Sequence, residues 1–432
     1  MRLLVIGGGA REHALVATLR RGTDVGDVLC APGNPGIASI ARCIPAELGN
    51  LNQLLEIAVR EQIDLTVVGP ELPLSLGIAD RFAAEGRRLV GPTRAAAALE
   101  SSKAFAKAFM ARHRVPTARF QIADTIEAAL TIVQSPDAEF PIVLKADGLA
   151  AGKGVTIAKD RIEAERAIAA AMRDRRFGAA GERLVIEEHL SGAEVSFFVL
   201  TDGVRAVPIG TAQDHKRVFD DDRGPNTGGM GAFAASPLVD TALQSRIMHE
   251  IVEPVIDGIA AEGYPFRGFL YVGLMLTASG PRVIEFNVRL GDPEAQVILP
   301  LIDEPLLPLL VAAADGDLRQ PACRLHSDRL VGVVLASRGY PESSSAGQVI
   351  RGLGRAERIP GVAVFHASTA RGGDGQIITA GGRVVTVVGR ASDFAGAIER
   401  AYEGVAAVSF EGMQYRRDIG KRALMAENRS RV

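Results

Sequence analysis

Within Val283-Ile284-Glu285-Phe286-Asn287-Val288-Arg289, three polar side chains alternate with apolar ones. On an extended chain this spacing sends Glu285, Asn287 and Arg289 to one face and Ile284, Phe286 and Val288 to the other. A carboxylate and an amide oxygen are hard donors suited to Mg²⁺, which takes one or two protein ligands and completes its shell with water and nucleotide phosphates. A neighbouring guanidinium can clamp a carboxylate or phosphate through two parallel hydrogen bonds. The run stops at Gly291-Asp292-Pro293, a turn that a plain solvated edge strand would not require. Together these residues spell a metal-bridged phosphate site.

Other segments offer the groups such a site needs. Leu144 to Ile157 contains Lys145, Gly152, Lys153 and Gly154. A P-loop reading fails, because the gap from Gly148 to Gly152 is one residue short and Gly154 stands where a metal-binding Ser or Thr would be. Two apolar strands joined by small residues instead suggest a flap closing over nucleotide phosphates, or a mobile surface hairpin. Glu187, Glu188, Leu190 and Glu194 flank a strand junction and offer acceptors and backbone amides to adenine and ribose; alone, such glutamates are usually solvated. Asp214 can meet an ammonium and Lys216 a carboxylate or phosphate, while His215 is as well suited to a structural as to a catalytic role. The loop Gly224-Pro225-Asn226-Thr227-Gly228-Gly229-Met230-Gly231 lacks any helical or strand period and reads as a structureless functional segment.

These residues must be held by several units. A chain of 432 residues exceeds what one core usually supports. In the first hundred residues, apolar runs at Leu3-Val5-Ile6, Val28-Leu29 and Leu65-Val68 alternate with helical patterns at Glu12 to Arg20 and Leu51 to Arg60, which predicts a parallel, helix-covered sheet. Its glycine loops, Gly7-Gly8-Gly9, Pro32-Gly33-Asn34 and Gly69-Pro70-Glu71, fall at strand carboxyl ends, where open α/β sheets bind ligands. A dinucleotide fingerprint is excluded there: Glu12 occupies the third glycine position, and no ribose-binding acid follows the second strand. A phosphate seat at the helix N-terminus, helped by Arg11 or His13, remains, as does an ordinary tight turn. Residues 103–328 carry the phosphate chemistry, with a small mobile lid over about 120–192. Residues 329–432 read as a separate α+β domain whose amphipathic helix presents Phe394, Ile398, Ala401, Tyr402 and Val405 on one face.

Lys plus Arg (49) nearly balance Asp plus Glu (51), and no basic run offers a footprint for nucleic acid or an anionic membrane. Cys30, Cys43 and Cys323 are odd in number and lack paired spacing, against both a disulfide framework and a zinc cluster. No apolar run is long enough for a signal peptide or a membrane span. A cytoplasmic protein acting on small molecules is expected. From the residues alone the reading is an ATP- and Mg²⁺-dependent carboxylate-activating enzyme, with a nucleotide-binding regulatory module as the alternative.

The lysine strand, glycine flap, Glu-Glu junction and Glu-x-Asn strand together resemble the ATP-grasp superfamily. Motifs spread over nearly the whole chain narrow this to the phosphoribosylamine-glycine ligase family: residues 8–14, 31–34, 68–71, 102–105, 145–154, 213–217, 224–231 and 415–420 are similar to it, in order. Ala10, Phe219, Arg223 and Leu290 depart from the family pattern, yet none removes a charged or ligating residue. The resemblance implies an N-terminal α/β domain (1–102), an ATP-grasp domain with its lid (103–328) and a small α+β C-terminal domain (329–432), in a monomer. It implies that glycine, ATP with Mg²⁺ or Mn²⁺, and 5-phosphoribosylamine combine through a glycyl phosphate in purine biosynthesis. Lys103, Lys145, Gly152, Lys153 and Gly154 would then serve the ATP phosphates, and Glu187, Glu188, Leu190 and Glu194 the adenosine. Glu285 and Asn287 would hold the metal, Arg289 the acyl phosphate, and Asp214 and Asp292 the glycine, with Lys216 a further catalytic residue. Gly8, Gly9, Arg11, Asn34, Glu71, Pro225, Asn226, Thr227 and Gly228 would bind substrate, the N-terminal glycine loop taking the ribosyl phosphate. Leu274-Met275-Leu276 lacks the extra metal carboxylate of many superfamily members, which leaves phosphate and water to complete the shell.

Overall fold

The computed structural model describes residues 1–149 and 154–430, with the side chains of 428–430 left aside. Leu3–Gly7 is the centre of a five-stranded parallel sheet, flanked on one side by Val28–Pro32 and Arg42–Cys43 and on the other by Leu65–Val68 and Leu89–Val90. Its strands are apolar at successive positions because both faces are covered. Leu3 and Val5 enter one core with the helix Ala10–Leu19, and Leu4 and Ile6 enter the other with the helix Leu51–Arg60. Because all the strands are parallel, their carboxyl ends, with their glycine loops, lie at one rim.

A second sheet, ordered Phe120–Ala123, Leu184–Glu188, Ile142–Ala146, Val155–Ala158, is antiparallel throughout. It has its own small core, in which Ile142, Leu144 and Ile186 pack on Val133 and Ile168 of two helices. The largest sheet has eight strands: Gly280–Asn287, Arg267–Thr277, Ala193–Asp202, Ala206–Asp214, Gly231–Ala234, Arg329–Ala336, Arg383–Ala391 and Val362–His366.

Three features differ from the sequence reading. First, the last hundred residues are not separate at the level of the sheet. Arg329–Ala336 pairs with Gly231–Ala234, so the ladder runs unbroken from the Glu285 strand to the C-terminal helix Phe394–Ala407. Second, the start of the glycine-rich loop, Gly224 to Asn226, is strand: Arg217–Phe219 and Arg223–Asn226 form a hairpin whose turn is made by Asp221 and Asp222 at positive φ. Aspartates tolerate this conformation better than most residues, which makes up for the absence of a turn glycine. Third, the alternation opening at Val283 is broken. Gly273 pairs with Glu285 but Leu274 pairs with Val283, leaving Ile284 as a bulge, so Val283 rather than Ile284 is fully buried.

Candidate functional site

The bulge sets the geometry of the Glu285 strand. The Ile284 carbonyl, freed from the ladder, accepts a 3.0 Å hydrogen bond from Lys145 Nζ, which brings the lid sheet against this strand. Glu285 follows, half-buried, with no hydrogen bond or ion pair among the described residues. Burial opposes its ionisation, but Lys216, Lys145, Lys103 and Arg289 gather around it and hold its carboxyl below the usual range. An ionised carboxylate ringed by four cations, and bonded to none, suits a further cation shared with phosphates. Asn287 adds an amide oxygen, which accepts from Arg289 Nη2 at 3.3 Å. No cluster of three or more His, Cys, Asp or Glu that could hold a metal occurs among the described residues. The donor set therefore fits a hard cation held mainly by its ligands, and not a closed protein cage.

Arg289, expected at the acyl phosphate, is heavily engaged by the protein. It contacts Glu71 at 3.2 Å, Glu100 at 2.8 Å, the Leu290 carbonyl at 3.2 Å and Asn287, so four of its five donors are taken among the described residues. Burial works against its charge, yet Glu100 and Glu71 raise its pKa. Glu71, expected to bind substrate, serves as one of these anchors.

Of the expected nucleotide ligands, Lys103 donates to the Gly148 carbonyl at 2.8 Å, at the edge of the glycine segment. Gly152 and Lys153 lie outside the described residues; Gly154 accepts from Ala146 N at 2.8 Å and closes the strand pair. Glu187 was expected to offer its acid to adenosine, but its carboxylate is buried between two lysines, Lys107 at 2.9 Å and Lys145 at 3.0 Å. Glu188 is held by Arg119, through the backbone N–H at 2.9 Å and the guanidinium at 2.7 Å. Leu190 is half-buried just beyond the strand, and Glu194 is exposed and paired with Lys216 at 2.9 Å.

Asp214 and Lys216 do meet at the Glu285 face. Burial raises the Asp214 pKa, with Glu194 and Glu285 adding to it, and also raises that of Glu294, with Asp214 the second cause. Lys216 is raised despite burial because Asp214, Glu194 and Glu285 surround it. Tyr271 and Ser196 complete this polar pocket, the serine lying 3.1 Å from the phenol oxygen and 3.4 Å from Glu294. His215 points away: it is buried edge-on against Phe233, and burial pushes its pKa down to about 3, so it is a neutral core residue.

The loop that follows is held from a distance. Thr227 is buried and bonds the Lys216 carbonyl through both its N–H (2.7 Å) and its hydroxyl (2.8 Å), which shapes the loop. Pro225 is exposed and Asn226 pairs with Arg217. The Gly228 N–H donates to the Tyr340 hydroxyl at 3.0 Å, and its carbonyl accepts from Arg383 at 2.6 Å. Arg383 also donates to the Asp292 carbonyl at 2.7 Å and reaches its carboxylate at 3.4 Å. Burial opposes ionisation of Asp292, but Arg383 and Arg11 hold its pKa low. Gly229 has φ +114°, and a Cβ there would come within 2.4 Å of Pro293, so glycine is needed both for the conformation and for the contact.

At the N-terminal rim, Glu12 folds back to accept from Gly9 N at 2.6 Å and from Arg11 at 2.6 Å. It fills the crevice in which a Cβ at Gly69 would lie 2.0 Å from its carboxylate, which shows why glycines line the crevice and why no pyrophosphate fits there. Arg11 reaches across to the Leu290 carbonyl at 3.1 Å. Asn34 donates to the Gly8 carbonyl at 2.9 Å and to the His366 carbonyl at 2.8 Å. A Cβ at Gly9 would stand 3.5 Å from Asp292 Oδ2, so the glycine loop and Asp292 border one cleft. Sequence reasoning missed Lys107, Glu100, Glu294, Tyr340 and Arg383. Only Glu294 carried a signal, its place directly after Asp292-Pro293.

Three consecutive stretches match family models: residues 1–100 the Phosphoribosylglycinamide synthetase N domain, 101–295 its ATP-grasp (A) domain, and 330–422 its C domain. The chain is 49% identical over 432 residues to a phosphoribosylamine–glycine ligase of Xylella fastidiosa, covering 99% of each, and 47% identical to one of Neisseria meningitidis, covering 98% of this chain and all of the relative. A crystal structure of a Thermotoga maritima phosphoribosylamine–glycine ligase superposes with a TM-score of 0.82 at 33% identity, covering 97% of this chain and 100% of that one. The biotin carboxylase domain of a Hydrogenobacter thermophilus 2-oxoglutarate carboxylase, at 18% identity, gives 0.73 and shares the fold.

Proposed function

Since the chain belongs to the phosphoribosylglycinamide synthetase family and is an ATP-grasp phosphoribosylamine–glycine ligase of purine biosynthesis, we propose how its own residues divide the work. A glycine carboxylate oxygen attacks the γ-phosphorus of ATP; the bond to the β,γ-bridging oxygen breaks, and ADP leaves. The amine of 5-phospho-D-ribosylamine then attacks the acyl carbon of glycyl phosphate, forming the amide and releasing phosphate. Charge collects on the phosphoryl oxygens, so cations and positioning supply most of the rate.

In this reading Lys103 and Lys145 bear on the ATP phosphates, and Gly152, Lys153 and Gly154 are assigned to the same phosphates. Glu188, Leu190 and Glu194 border the nucleoside. Glu285 and Asn287 would hold Mg²⁺ or Mn²⁺, which when bound neutralises phosphate charge. Asp214 receives the glycine ammonium, with Glu294 beside it and Lys216 keeping its charge in place. Arg289 presents its remaining N–H to the acyl phosphate, and Asp292 orients glycine on a mount supplied by Arg383. Gly8, Gly9, Arg11 and Asn34 form the seat of the ribosyl phosphate, and Pro225, Asn226 and Gly228 border its sugar. The observation that carries the reading is Glu285, ionised and unpartnered among four cations.

The decisive experiment is ADP formation with freshly made phosphoribosylamine, with and without glycine. Glu285→Ala should lower glycine-dependent turnover by on the order of 1,000-fold while the melting temperature stays within a few degrees; turnover like that of the parent would refute the metal assignment. A monomer working in the cytoplasm fits three unpaired cysteines, near-neutral charge, and the absence among the described residues of any helix long and apolar enough to cross a membrane. Light scattering at micromolar concentration checks the monomer.

A further inference from the structure

Lys107 lies on the helix Lys103–Arg112, one turn beyond Lys103, and is only 2% exposed. Its ammonium contacts Glu187 Oε2 at 2.9 Å and donates to Thr117 Oγ1 at 2.7 Å. That hydroxyl in turn donates to the Val283 carbonyl at 2.7 Å, two residues before Glu285. Lys145 takes the other oxygen of Glu187 at 3.0 Å and, as described, the Ile284 carbonyl. Two buried ammonium groups thus share one buried carboxylate, and both are tied to adjacent carbonyls of the strand that presents Glu285.

Charge counting gives this arrangement a purpose. A buried Lys145–Glu187 pair alone would be neutral, and its lysine would have little left to offer a phosphate. With Lys107 on the second oxygen the cluster carries one net positive charge in a poorly solvated place, where it acts strongly on a nearby anion. Burial lowers the Lys107 pKa to about 8, with Glu187 resisting, so the ammonium form is kept at neutral pH by the carboxylate it shares.

We propose that Lys107 is a positioning residue for ATP: by neutralising half of the demand of Glu187 it leaves Lys145 charged toward the nucleotide phosphates and locks the lid sheet to the Glu285 strand. This rests on the reading of Lys145 as a phosphate ligand. The geometry alone would also suit a purely structural ion cluster, and the two roles differ in what happens when the charges are rebalanced.

The test is calorimetric binding of Mg²⁺-ATP without glycine. Lys107→Met, which makes the cluster neutral, should weaken binding about tenfold or more, while the KM for glycine moves less than about threefold. Lys107→Arg, and the double variant Lys107→Met/Glu187→Gln, both return the cluster to one positive charge and should bind within about threefold of the parent. A structural strut predicts the opposite for the double variant, which has lost both ion pairs. Parent-like binding by Lys107→Met, or a double variant as weak as Lys107→Met, overturns the proposal. If Lys107→Met does not fold, Glu187→Gln decides, since charge counting predicts binding as tight as the parent's or tighter and a tenfold loss overturns it. Lys145→Met separates the premises: if it binds ATP normally, the assignment of Lys145 to phosphate falls, whereas if it weakens and Lys107→Met does not, the charge count alone falls.

Discussion

Two glycine-rich loops border the cleft and are held in opposite ways. The N-terminal loop is fixed largely from nearby: Glu12 folds back over Gly9, Asn34 ties the next strand's loop to Gly8 and the parallel register aligns the two, with the Leu290 and His366 carbonyls as distant partners of Arg11 and Asn34. The loop after Lys216 is fixed from far along the chain. Arg383 and Tyr340 grip Gly228, while Arg416, 1% exposed, bonds Asp418 at 2.6 and 2.8 Å and Asp222, in the turn of the hairpin, at 2.8 Å. A seat for one phosphate can be built from a strand end and a helix start. A loop that must hold its place beside Asp292 without helix or long ladder borrows its rigidity from another layer of the molecule.

This contrast can be broken at several points. Arg416→Ala leaves Asp418 partly buried without its partner and should cost about 3–5 kcal/mol of folding stability, read by denaturant unfolding; a loss under about 1 kcal/mol would mean the hairpin does not depend on it. Arg383→Met should lower kcat/KM for glycine on the order of 100-fold through misplacement of Asp292 and Gly228, with the affinity for ATP almost unchanged; an equal effect on both substrates would show a general loss of structure. Asn34→Ala removes the amide's bonds to the Gly8 and His366 carbonyls and from the Ile37 N–H and should cost about 2 kcal/mol, with the KM for phosphoribosylamine rising and that for glycine held.

The smallest effect tests how the N-terminal loop is backed. His13 sits under it, accepting from the His366 N–H at 2.9 Å, and burial lowers the two imidazole pKa values to about 3 and about 4. Both are neutral in the folded protein, whereas the unfolded chain takes up protons near the ordinary histidine value of 6.5. Their effect on stability is thus absent above about 6.5 and grows as a loss when the pH falls toward 4. His13→Gln should make the fall of stability between pH 6.5 and 5 shallower by about one proton, or about 1.4 kcal/mol per pH unit. An unchanged slope would mean that His13 is already charged in the native state.

What was legible in the sequence follows the same division. The parallel sheet could be read because each strand is a continuous apolar run ending in glycine. Lys145, Glu285 and Asp214 could be read because local spacing placed them at strand faces and strand ends, whereas Lys103 was singled out only by the family resemblance. Arg383 could not: at the head of an apolar strand it looks like an ordinary solvated end, and only sheet pairing across some 150 residues delivers it to Gly228. Lys107 looked like a polar position on a helix, and nothing near it in sequence announces Glu187. Neither glycine nor proline stands at or beside Ile284 to mark the bulge, and the lysine that takes the freed carbonyl comes from another sheet. Glu187 shows the cost of reading side chains singly, since its acid meets two cations that the linear order keeps apart.

The unbroken ladder from Gly280–Asn287 to Val362–His366 has a consequence for how this protein can be divided. A chain ended before Arg329 would strip the pairing partner from Gly231–Ala234 and leave its backbone donors and acceptors open to any other strand, an invitation to self-association. The catalytic half therefore cannot be borrowed cleanly by fusion or recombination, and inheritance of the tail is enforced by the hydrogen-bond edge it covers as much as by the residues it lends.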